Sequence, residues 1–265
     1  MTLDDGYADN LHSANPLLER VDVPATVFVA TGQVGTVGEF WVDRLERLLL
    51  HPGRLPSPLR VSVNGRIHEW DLGSAATYTS EDFEQHRRWS MRDPVEPTAR
   101  QAAYRALSIL LQPRPNAERQ GHMDDISAVA SIDPQSRPTH RVLSPAELVH
   151  LANGHLVEIG CHTVSHPVLA ALPVDDQRVE IEHSKAALEE MTGRSVTSFA
   201  YPYGQRLHYT SDTVAIVRDA GFGCAASNFR GVVGNTSDVL QVPRFQVADC
   251  DGDTFARHLN KWFCE

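Results

Sequence analysis

The chain has 265 residues, 42% of them hydrophobic, and a formal net charge of −10 at pH 7. This length and apolar content can build one large core, and α/β barrels of this size are commonly single domains. The acidic balance and the absence of a dense Lys/Arg run in the sequence exclude the basic stripe typical of nucleic-acid-binding proteins. We therefore expect no nucleic-acid partner.

The apolar runs and the first residues of the chain indicate where in the cell the protein is expected. No run approaches the roughly 20 apolar residues that span a bilayer, and no basic-then-apolar signal sequence opens the chain. The sequence as given therefore predicts a cytoplasmic protein without a transmembrane segment. Met1-Thr2-Leu3 leads directly into Asp4-Asp5-Gly6, so the first predicted strand is cut almost to nothing. Either the protein begins abruptly here, or its true N-terminus has been lost together with any export signal.

Short apolar, β-branched runs alternate with helical patterns, which is typical of βα units around a parallel sheet. The predicted strands cover residues 23–30, 156–161, 196–201, 223–227 and 239–247. The predicted helices cover residues 175–192 and 210–220, and a third helix begins after Ser144. A glycine follows each of the first two helices, and a Ser-Pro-Ala-Glu sequence opens the third, as expected at helix ends.

The segment from about residue 39 to 141 has a different composition, rich in Arg, Glu, Gln and Pro. Its patterns at 40–50 and 98–111 predict helices. Asn64-Gly65 between two alternating runs predicts a β-hairpin. We interpret the segment as a largely helical insertion within a single domain that covers residues 1–265.

Two adjacent carboxylates, Asp4 and Asp5, follow the first predicted strand. Asp-Asp-Gly is also ordinary turn chemistry. If the pair is functional, one carboxylate can ligate a metal ion while the other accepts a proton, because adjacent side chains at a strand end point in different directions.

Two histidines, His162 and His166, follow the predicted strand at 156–161. Residues four apart share one face if the segment turns helically, which suits coordination of one metal ion. With 13 histidines in the chain, a chance pair is the alternative. Their position at the carboxyl end of a strand, where barrel enzymes place their chemistry, favours the metal site.

A third motif, Phe-Ala-Tyr-Pro-Tyr-Gly at residues 199–204, also lies at a strand end. It is either a strand that enters a turn with aromatic packing, or a rigid loop that aims a backbone N–H into a pocket. In the second case Tyr201, Pro202 and Tyr203 would contact the substrate, with an aromatic wall against a sugar face.

Together the three motifs resemble the polysaccharide deacetylase family, the NodB homology domain of carbohydrate esterase family 4. TLDDG is similar to its first motif, T-[FL]-D-D-G; HTVSH is similar to its second, H-[ST]-x-x-H; and FAYPYG is similar to its third, R-x-P-x-G. They occur in the family's order, with VPATVFV after the first and EIGCHT at the second. The resemblance covers residues 1–38 and roughly 142–250.

The resemblance implies an α/β fold, an irregular (β/α) barrel with seven strands, carrying the largely helical insertion. Asp5, His162 and His166 would hold a divalent metal ion, most simply Zn²⁺, with Co²⁺, Ni²⁺ or Mn²⁺ as alternatives. Asp4 would be the general base, and the backbone N–H of Tyr203 would stabilise the oxyanion. The expected substrate is an N-acetylated sugar or glycan, which would lose its acetyl group as acetate. The oligomeric state does not follow from the resemblance.

Two departures from the family pattern affect the expected chemistry. Ala200 stands where the third motif usually has an arginine that orients the base. Arg244 is a candidate replacement, with a structural arginine at a strand end as the alternative. The late L-x-H motif that supplies the general acid has no match, and neither His208 nor His258 can be assigned to that role from the sequence.

Two other functions therefore stay open beside N-deacetylation. The same centre could hydrolyse another non-peptide amide or an O-acetyl ester. The missing arginine and acid would also fit a catalytically impaired barrel that binds carbohydrate. The long insertion suggests a substrate different from a plain chitin or peptidoglycan chain, because loops at a barrel mouth set specificity.

Overall fold

The computed structural model describes residues 1–130 and 136–263. The chain divides into two compact units, the first formed by Met1–Thr36 and Val142–Glu265 and the second by Val37–Arg141. The second unit corresponds closely to the segment of different composition. That this segment is an insertion within a single domain stays a prediction.

Helices and short strands alternate along the first unit, and the second unit contains both as well. The helices are α1 (Asn15–Val21), α2 (Trp41–Leu50), α3 (Ser80–His86), α4 (Ala99–Leu111), α5 (Asn116–Ala130), α6 (Pro145–Ala152), α7 (Val174–Thr192), α8 (Ser211–Asp219) and α9 (Gly252–Phe263). The strands are β1 (Thr2–Leu3), β2 (Ala25–Val29), β3 (Gly53–Arg54), β4 (Leu59–Val63), β5 (Arg66–Trp70), β6 (Thr77–Tyr78), β7 (Val157–Cys161), β8 (Ser198–Ala200) and β9 (Cys224–Ala226).

The first unit is built on a parallel sheet with the strand order β1-β2-β7-β8-β9. Strand β2 is almost entirely buried, and β7 is buried except at the exposed Glu158, as expected of parallel strands that are largely covered on both faces. Helices α6 and α7 pack against β7. The predicted α/β architecture is confirmed. Of the seven strands implied by the resemblance, the described residues form five in this sheet.

The prediction of a strand at residues 239–247 is wrong. Val242 makes only a single parallel bridge to Ala226. Pro243 follows immediately, and proline has no N–H to continue a ladder. The chain nevertheless runs beside β9 here, which brings Arg244 to the edge of the sheet.

Helix ends in the first unit follow the sequence patterns closely. Ser144 accepts from the N–H of Glu147 at 3.3 Å, and the Glu147 carboxylate accepts from the N–H of Ser144 at 2.9 Å. This capping box starts α6. Helix α7 ends at Gly193, whose φ of +66° gives the left-handed cap that glycine adopts without steric cost.

The second unit has its own core, formed mainly by apolar residues of α2, α4 and α5 with the hairpin β4–β5. Asn64 and Gly65 form the hairpin turn with φ values of +54° and +72°, as the Asn-Gly sequence predicts. The buried Arg100 guanidinium donates to the carbonyls of Leu49 and Gly53, among others. The unit is therefore largely helical, with one two-residue ladder between β3 and β6 besides the hairpin.

No helix within residues 1–130 and 136–263 is both long enough and apolar enough to cross a membrane.

Candidate active site

The three motifs meet at one edge of the sheet because β1, β7 and β8 are parallel and each motif follows the carboxyl end of its strand. Asp5 Oδ1 lies 3.2 Å from His166 Nε2 and 3.5 Å from His162 Nε2. One ligand atom from each of the three residues can be chosen so that all lie within 4.8 Å of one another. The structure thus brings together the three residues predicted to hold a metal ion.

The donor set fits a divalent cation. Asp5 Oδ1 is buried and accepts no hydrogen bond from the described residues, an arrangement that costs free energy unless a cation or donor satisfies the oxygen. His162 Nδ1 lies 2.7 Å from the carbonyl oxygen of Ala200, which can only accept, so Nδ1 carries the proton. The Nε2 lone pair then faces Asp5, as in histidines that ligate metals. Two histidines and one carboxylate leave positions open for water and substrate.

Charges within this cluster compensate one another. Burial acts to raise the pKa of Asp5, but the opposing effect of His166, His162 and Arg244 is larger, and the pKa is lowered. Burial acts to lower the pKa of His162, but Asp5 and Asp4 raise it overall. The carboxylates of Asp4 and Asp5 therefore stay ionised despite their burial.

Arg244 is the close partner of Asp4. Its Nη1 and Nη2 donate to Asp4 Oδ1 and Oδ2, each at 2.8 Å, and its Nε donates to the carbonyl of Ser227 at 2.7 Å. Burial acts to raise the pKa of Asp4, but the neighbouring His162 and the Arg244 guanidinium lower it overall. The arginine that the third motif lacks at Ala200 thus has a geometric counterpart at Arg244.

The loop that carries the two histidines is not helical, so the shared face of a helix does not explain how the rings meet. Thr163 and His166 have φ values of +67° and +54°. The His166 N–H donates to Thr163 Oγ1 at 3.1 Å, and Ser184 donates to the Thr163 carbonyl at 2.8 Å. The T-shaped pair of His162 and His166 rings, with centroids 4.8 Å apart, results from this loop.

Glu180 of α7 anchors the same loop and was not among the residues predicted from the sequence. Its Oε2 accepts from the N–H of Val164 at 2.9 Å and of Ser165 at 2.8 Å, and its Oε1 accepts from Ser165 Oγ at 2.6 Å. Glu180 and Ser184 stand four apart on a helix, beside the buried Ile181. This spacing places both side chains on one face of the helix, but it does not by itself indicate a contact with the loop.

Unusual backbone conformations concentrate in the three motifs. Asp5, Thr163, His166 and Tyr203 are non-glycine residues with φ between +54° and +75°. Such conformations cost of order 1–3 kcal/mol each and cluster at functional sites. Gly204 has a φ of +63°, and a Cβ there would lie 2.6 Å from the backbone nitrogen of Asn228. Only glycine fits this end of the third motif.

The predicted aromatic wall does not form as a unit. Tyr201 is 1% exposed, its hydroxyl donates to the carbonyl of Leu240 at 2.9 Å, and its ring stacks on Tyr209 with centroids 4.0 Å apart. Its assignment as a substrate-binding residue is therefore wrong, because its ring belongs to the core. Pro202 is also buried and shapes the loop, and its contact with substrate stays a prediction. Tyr203 is half-buried, with its ring centroid 4.7 Å from that of His166.

The two histidines considered for the general acid, His208 and His258, lie in different places. The ring of His208 is 5.5 Å from that of Tyr203, and its Nδ1 accepts from the N–H of Gln205 at 3.2 Å. Burial lowers the pKa of His208. His258 lies on α9, where its ring stacks on Trp262. His208 thus adjoins the third motif, whereas His258 belongs to the last helix.

A family model described as polysaccharide deacetylase matches residues 127–225, which include His162, His166 and the third motif. The resemblance to the polysaccharide deacetylase family is confirmed. The match does not reach Asp4 and Asp5, whose assignment depends on the first motif and on their position. No curated protein matches the chain.

The chain is similar to several solved structures at low sequence identity. IcaB from Ammonifex degensii is 17% identical with a TM-score of 0.52, over 98% of this chain and 70% of that one. The BpsB deacetylase domain from Bordetella bronchiseptica is 16% identical with a TM-score of 0.47, over 92% and 68%. The Streptococcus pyogenes deacetylase PplD, in complex with acetate, is 17% identical with a TM-score of 0.44, over 93% and 62%. The chain therefore spans less than two thirds of PplD. The likeness to IcaB shows that the two chains share an α/β fold.

Proposed function

We propose that this chain is a metal-dependent hydrolase of a non-peptide carbon–nitrogen bond that removes the acetyl group from an N-acetylated amino sugar. The observation that carries the proposal is the juxtaposition of two groups. One is the donor set of Asp5, His162 and His166 with its orphaned buried oxygen. The other is Asp4, the adjacent carboxylate that Arg244 holds through two hydrogen bonds.

Asp5, His162 and His166 would hold the divalent cation, most simply Zn²⁺. When bound, the cation would supply Lewis-acid polarisation of the acetamide carbonyl and of the attacking water. The proton that His162 donates from Nδ1 to the Ala200 carbonyl keeps Nε2 available as a ligand. The left-handed backbone conformations of Asp5 and His166 would hold these two ligands in position before the cation binds.

Asp4 would act as the general base. Its lowered pKa keeps it a carboxylate at neutral pH, and each oxygen retains a lone pair beyond the one that Arg244 occupies. The bidentate Arg244 contact would fix the orientation of the carboxylate toward the attacking water. Asp4 would then accept the water proton as the oxygen adds to the acetamide carbon.

Tyr203 would act through its backbone. Its positive φ turns the chain beside His166, and its N–H would donate to the carbonyl oxygen as negative charge develops there. Cleavage of the carbon–nitrogen bond, with the proton taken up by Asp4 passed to the leaving nitrogen, would release acetate and leave the sugar with a free amine. Gly204, whose positive φ and close contact with Asn228 admit no side chain, would hold this turn in place.

The test is acetate release by the metal-loaded protein from a panel of sugars. The panel contains N-acetylhexosamine monomers, N-acetylated oligosaccharides and an O-acetylated sugar. We expect acetate from N-acetylated members, and we expect Asp4→Asn to lower the rate by about 10²–10⁴-fold, the usual contribution of a general base. Asp22→Asn, the same change at an exposed position, is the matched control and should have no effect.

Two results would overturn the proposal. If the wild type releases no acetate from any N-acetylated sugar, the chain is not an N-deacetylase; acetate from the O-acetylated sugar alone would make it an esterase. If Asp4→Asn and the wild type release acetate equally fast, Asp4 is not the base.

A further inference from the structure

The third motif contains a strained turn centred on Tyr203. The Gly204 N–H donates to the Pro202 carbonyl at 2.7 Å, so the turn spans only three residues, and Tyr203 between them has a φ of +61°. Three-residue turns with a positive φ at the central residue are rare and strained. Such a conformation persists only where the surrounding structure holds it. The turn therefore depends on contacts from outside the motif.

Asn228, two residues after β9, makes such contacts. Its Nδ2 donates to the Tyr203 carbonyl at 3.3 Å, and its backbone N–H donates to the Gly204 carbonyl at 2.8 Å. A carbonyl oxygen can only accept, so the side-chain atom that faces Tyr203 is the amide nitrogen. Gln205 adds a third link, because its Nε2 donates to the Asn228 carbonyl at 2.6 Å. Asn228 is thus hydrogen-bonded to three consecutive residues of this loop.

Close packing accompanies these hydrogen bonds. A Cβ on Gly204 would lie 2.7 Å from the Cβ of Asn228, so the two backbones are in direct contact. The motif is also tied to β9 before the turn, where the Tyr201 N–H donates to the Ala226 carbonyl at 3.1 Å. The Asn228 side chain completes this attachment at Tyr203, the residue with the strained φ.

The direction of the Tyr203 N–H depends on this turn. Each peptide unit is planar, and the two units that meet at Tyr203 carry its N–H and its carbonyl. A contact that fixes the carbonyl therefore also restricts how far the N–H can turn. Donors that stabilise an oxyanion act through their placement, and a misplacement of about 1 Å can cost about 100-fold in rate.

We propose that Asn228 is a positioning residue whose side-chain amide holds the turn, so that the Tyr203 N–H stays directed at the acetamide oxygen. The inference rests on the proposed function, because it takes this N–H as the oxyanion donor. Asn228 acts through Tyr203, and its contribution grows as negative charge develops on the oxygen. Its loss should therefore lower kcat and leave KM unchanged.

Two variants test the side-chain donor. Asn228→Ala removes it, and Asn228→Asp keeps the shape but places a carboxylate oxygen against the Tyr203 carbonyl. In the metal-loaded protein we expect kcat for acetate release to fall about tenfold in Asn228→Ala and at least as far in Asn228→Asp, with KM unchanged. Asn235→Ala and Asn235→Asp make the same changes at an exposed position of the same unit and should keep the wild-type kcat.

Two further measurements separate positioning from a general loss of structure. A phosphonamidate that replaces the acetamide presents a charged tetrahedral centre like that of the transition state. Its inhibition constant should rise in the Asn228 variants by the factor by which kcat falls, while the Zn²⁺ affinity stays at its wild-type value. Hydrogen exchange of the Gly204 amide, followed by NMR, should become faster in both variants because the turn is less firmly held.

Wild-type kcat in both Asn228 variants would overturn the proposal. So would a wild-type kcat in Asn228→Asp alone, because the side chain would then act by filling space. A raised KM with wild-type kcat, or a fall in kcat with an unchanged inhibition constant, would contradict positioning. If the wild type releases no acetate, the proposed function fails, and hydrogen exchange still tests the turn. Faster exchange then supports Asn228 as the residue that holds it, and unchanged exchange refutes this.

Discussion

Arg244 donates from Nη1 and Nη2 to the two carboxylate oxygens of Asp4, each at 2.8 Å, although the two residues lie 240 positions apart. The same guanidinium donates to the carbonyl of Ser227 and to Thr2 Oγ1. Planar, bidentate contact of this kind fixes both the position and the rotation of a carboxylate. We propose that this contact, made from the chain beside β9, takes the place of the one that the family's third motif usually makes from β8.

Replacing Arg244 should therefore impair catalysis without removing the metal ion. For Arg244→Ala we expect kcat for acetate release to fall by about 10–100-fold. The Asp4 carboxylate would lose both the contact that orients it and the positive charge that stabilises its ionised form. Arg244→Lys should recover little, since an ammonium group cannot make the bidentate contact. The measurements are kcat, KM and the metal content of each purified variant.

The matched control is Arg230→Ala, which removes an exposed arginine from the same unit and should leave kcat unchanged. A wild-type kcat in Arg244→Ala would reduce Arg244 to a structural role. Loss of the metal ion from Arg244→Ala would show instead that it acts on the metal centre.

Glu180 should control metal affinity through the loop that carries His162 and His166. Glu180→Ala removes the acceptor of three hydrogen bonds from Val164 and Ser165. Loss of a group that orients metal ligands typically costs about 10–100-fold in metal affinity, and we expect that loss in a Zn²⁺ competition titration. Glu180→Gln keeps an acceptor of nearly the same shape and should recover most of the affinity.

Glu190→Ala on the same helix serves as the control, because Glu190 is exposed. If Glu180→Ala binds Zn²⁺ as tightly as the wild type does, the loop holds its conformation without Glu180. Equal losses in the Ala and Gln variants would mean that the charge of Glu180, not its acceptor geometry, is what matters.

Tyr201→Phe tests the finding that this ring belongs to the core. The variant removes the buried donor to the Leu240 carbonyl, and an acceptor left unsatisfied costs about 1–3 kcal/mol. We expect the free energy of unfolding in urea to fall by that amount while KM stays at its wild-type value. A raised KM with unchanged stability would return Tyr201 to the substrate site.

Glu39 should make the second unit sensitive to acid. Its side chain is 1% exposed and accepts from Arg47 Nε at 2.8 Å and from Arg137 Nε at 2.7 Å. Burial acts to raise the pKa of Glu39, but the hydrogen bonds from Arg47 and Arg137 lower it overall. A depressed folded-state pKa contributes stability that is present above the unfolded pKa, about 4.3. This contribution is lost as pH falls through the folded-state value.

Glu39→Gln should consequently lower the free energy of unfolding by about 3 kcal/mol at pH 7, the scale for a broken buried ion pair. The gap to the wild type should narrow once the pH falls below the unfolded-state pKa of about 4.3, and it should close as the pH falls through the lower folded-state pKa of Glu39. Urea unfolding of both proteins at pH 7 and at acidic pH measures the difference in the free energy of unfolding. Glu81→Gln, the same change at an exposed position, is the control. A gap that stays constant with pH would show that Glu39 does not titrate with folding.

Local sequence patterns predicted those elements whose conformation depends on near neighbours. The strands at Ala25–Val29 and Val157–Cys161 follow from apolar, β-branched runs, and the hairpin follows from Asn64-Gly65. The apolar pattern at 239–247 predicted a strand there. Pro243 interrupts that pattern and limits the segment to one bridge, between Val242 and Ala226.

The site depended on contacts that local patterns do not encode. The order of the motifs indicates which residues approach one another, because parallel strands end at one edge. The positive φ values of Thr163, His166 and Tyr203 are not apparent from residue type, since such conformations are held by the surrounding fold. The turn at Tyr203 leaves Tyr201 in the core, and a Pro-Tyr-Gly sequence does not tell which aromatic ring faces inward.

The most direct test of the whole account is acetate release measured while Zn²⁺ is added in steps to chelator-treated protein. We predict no activity without the metal ion, a linear rise up to one equivalent of Zn²⁺ per chain and a plateau beyond it. His166→Ala, which removes one of the three ligands, should show no such rise at the same concentrations. Full acetate release in the presence of the chelator, or an identical titration curve for His166→Ala, would contradict the central claim that Asp5, His162 and His166 form the metal site of a deacetylase.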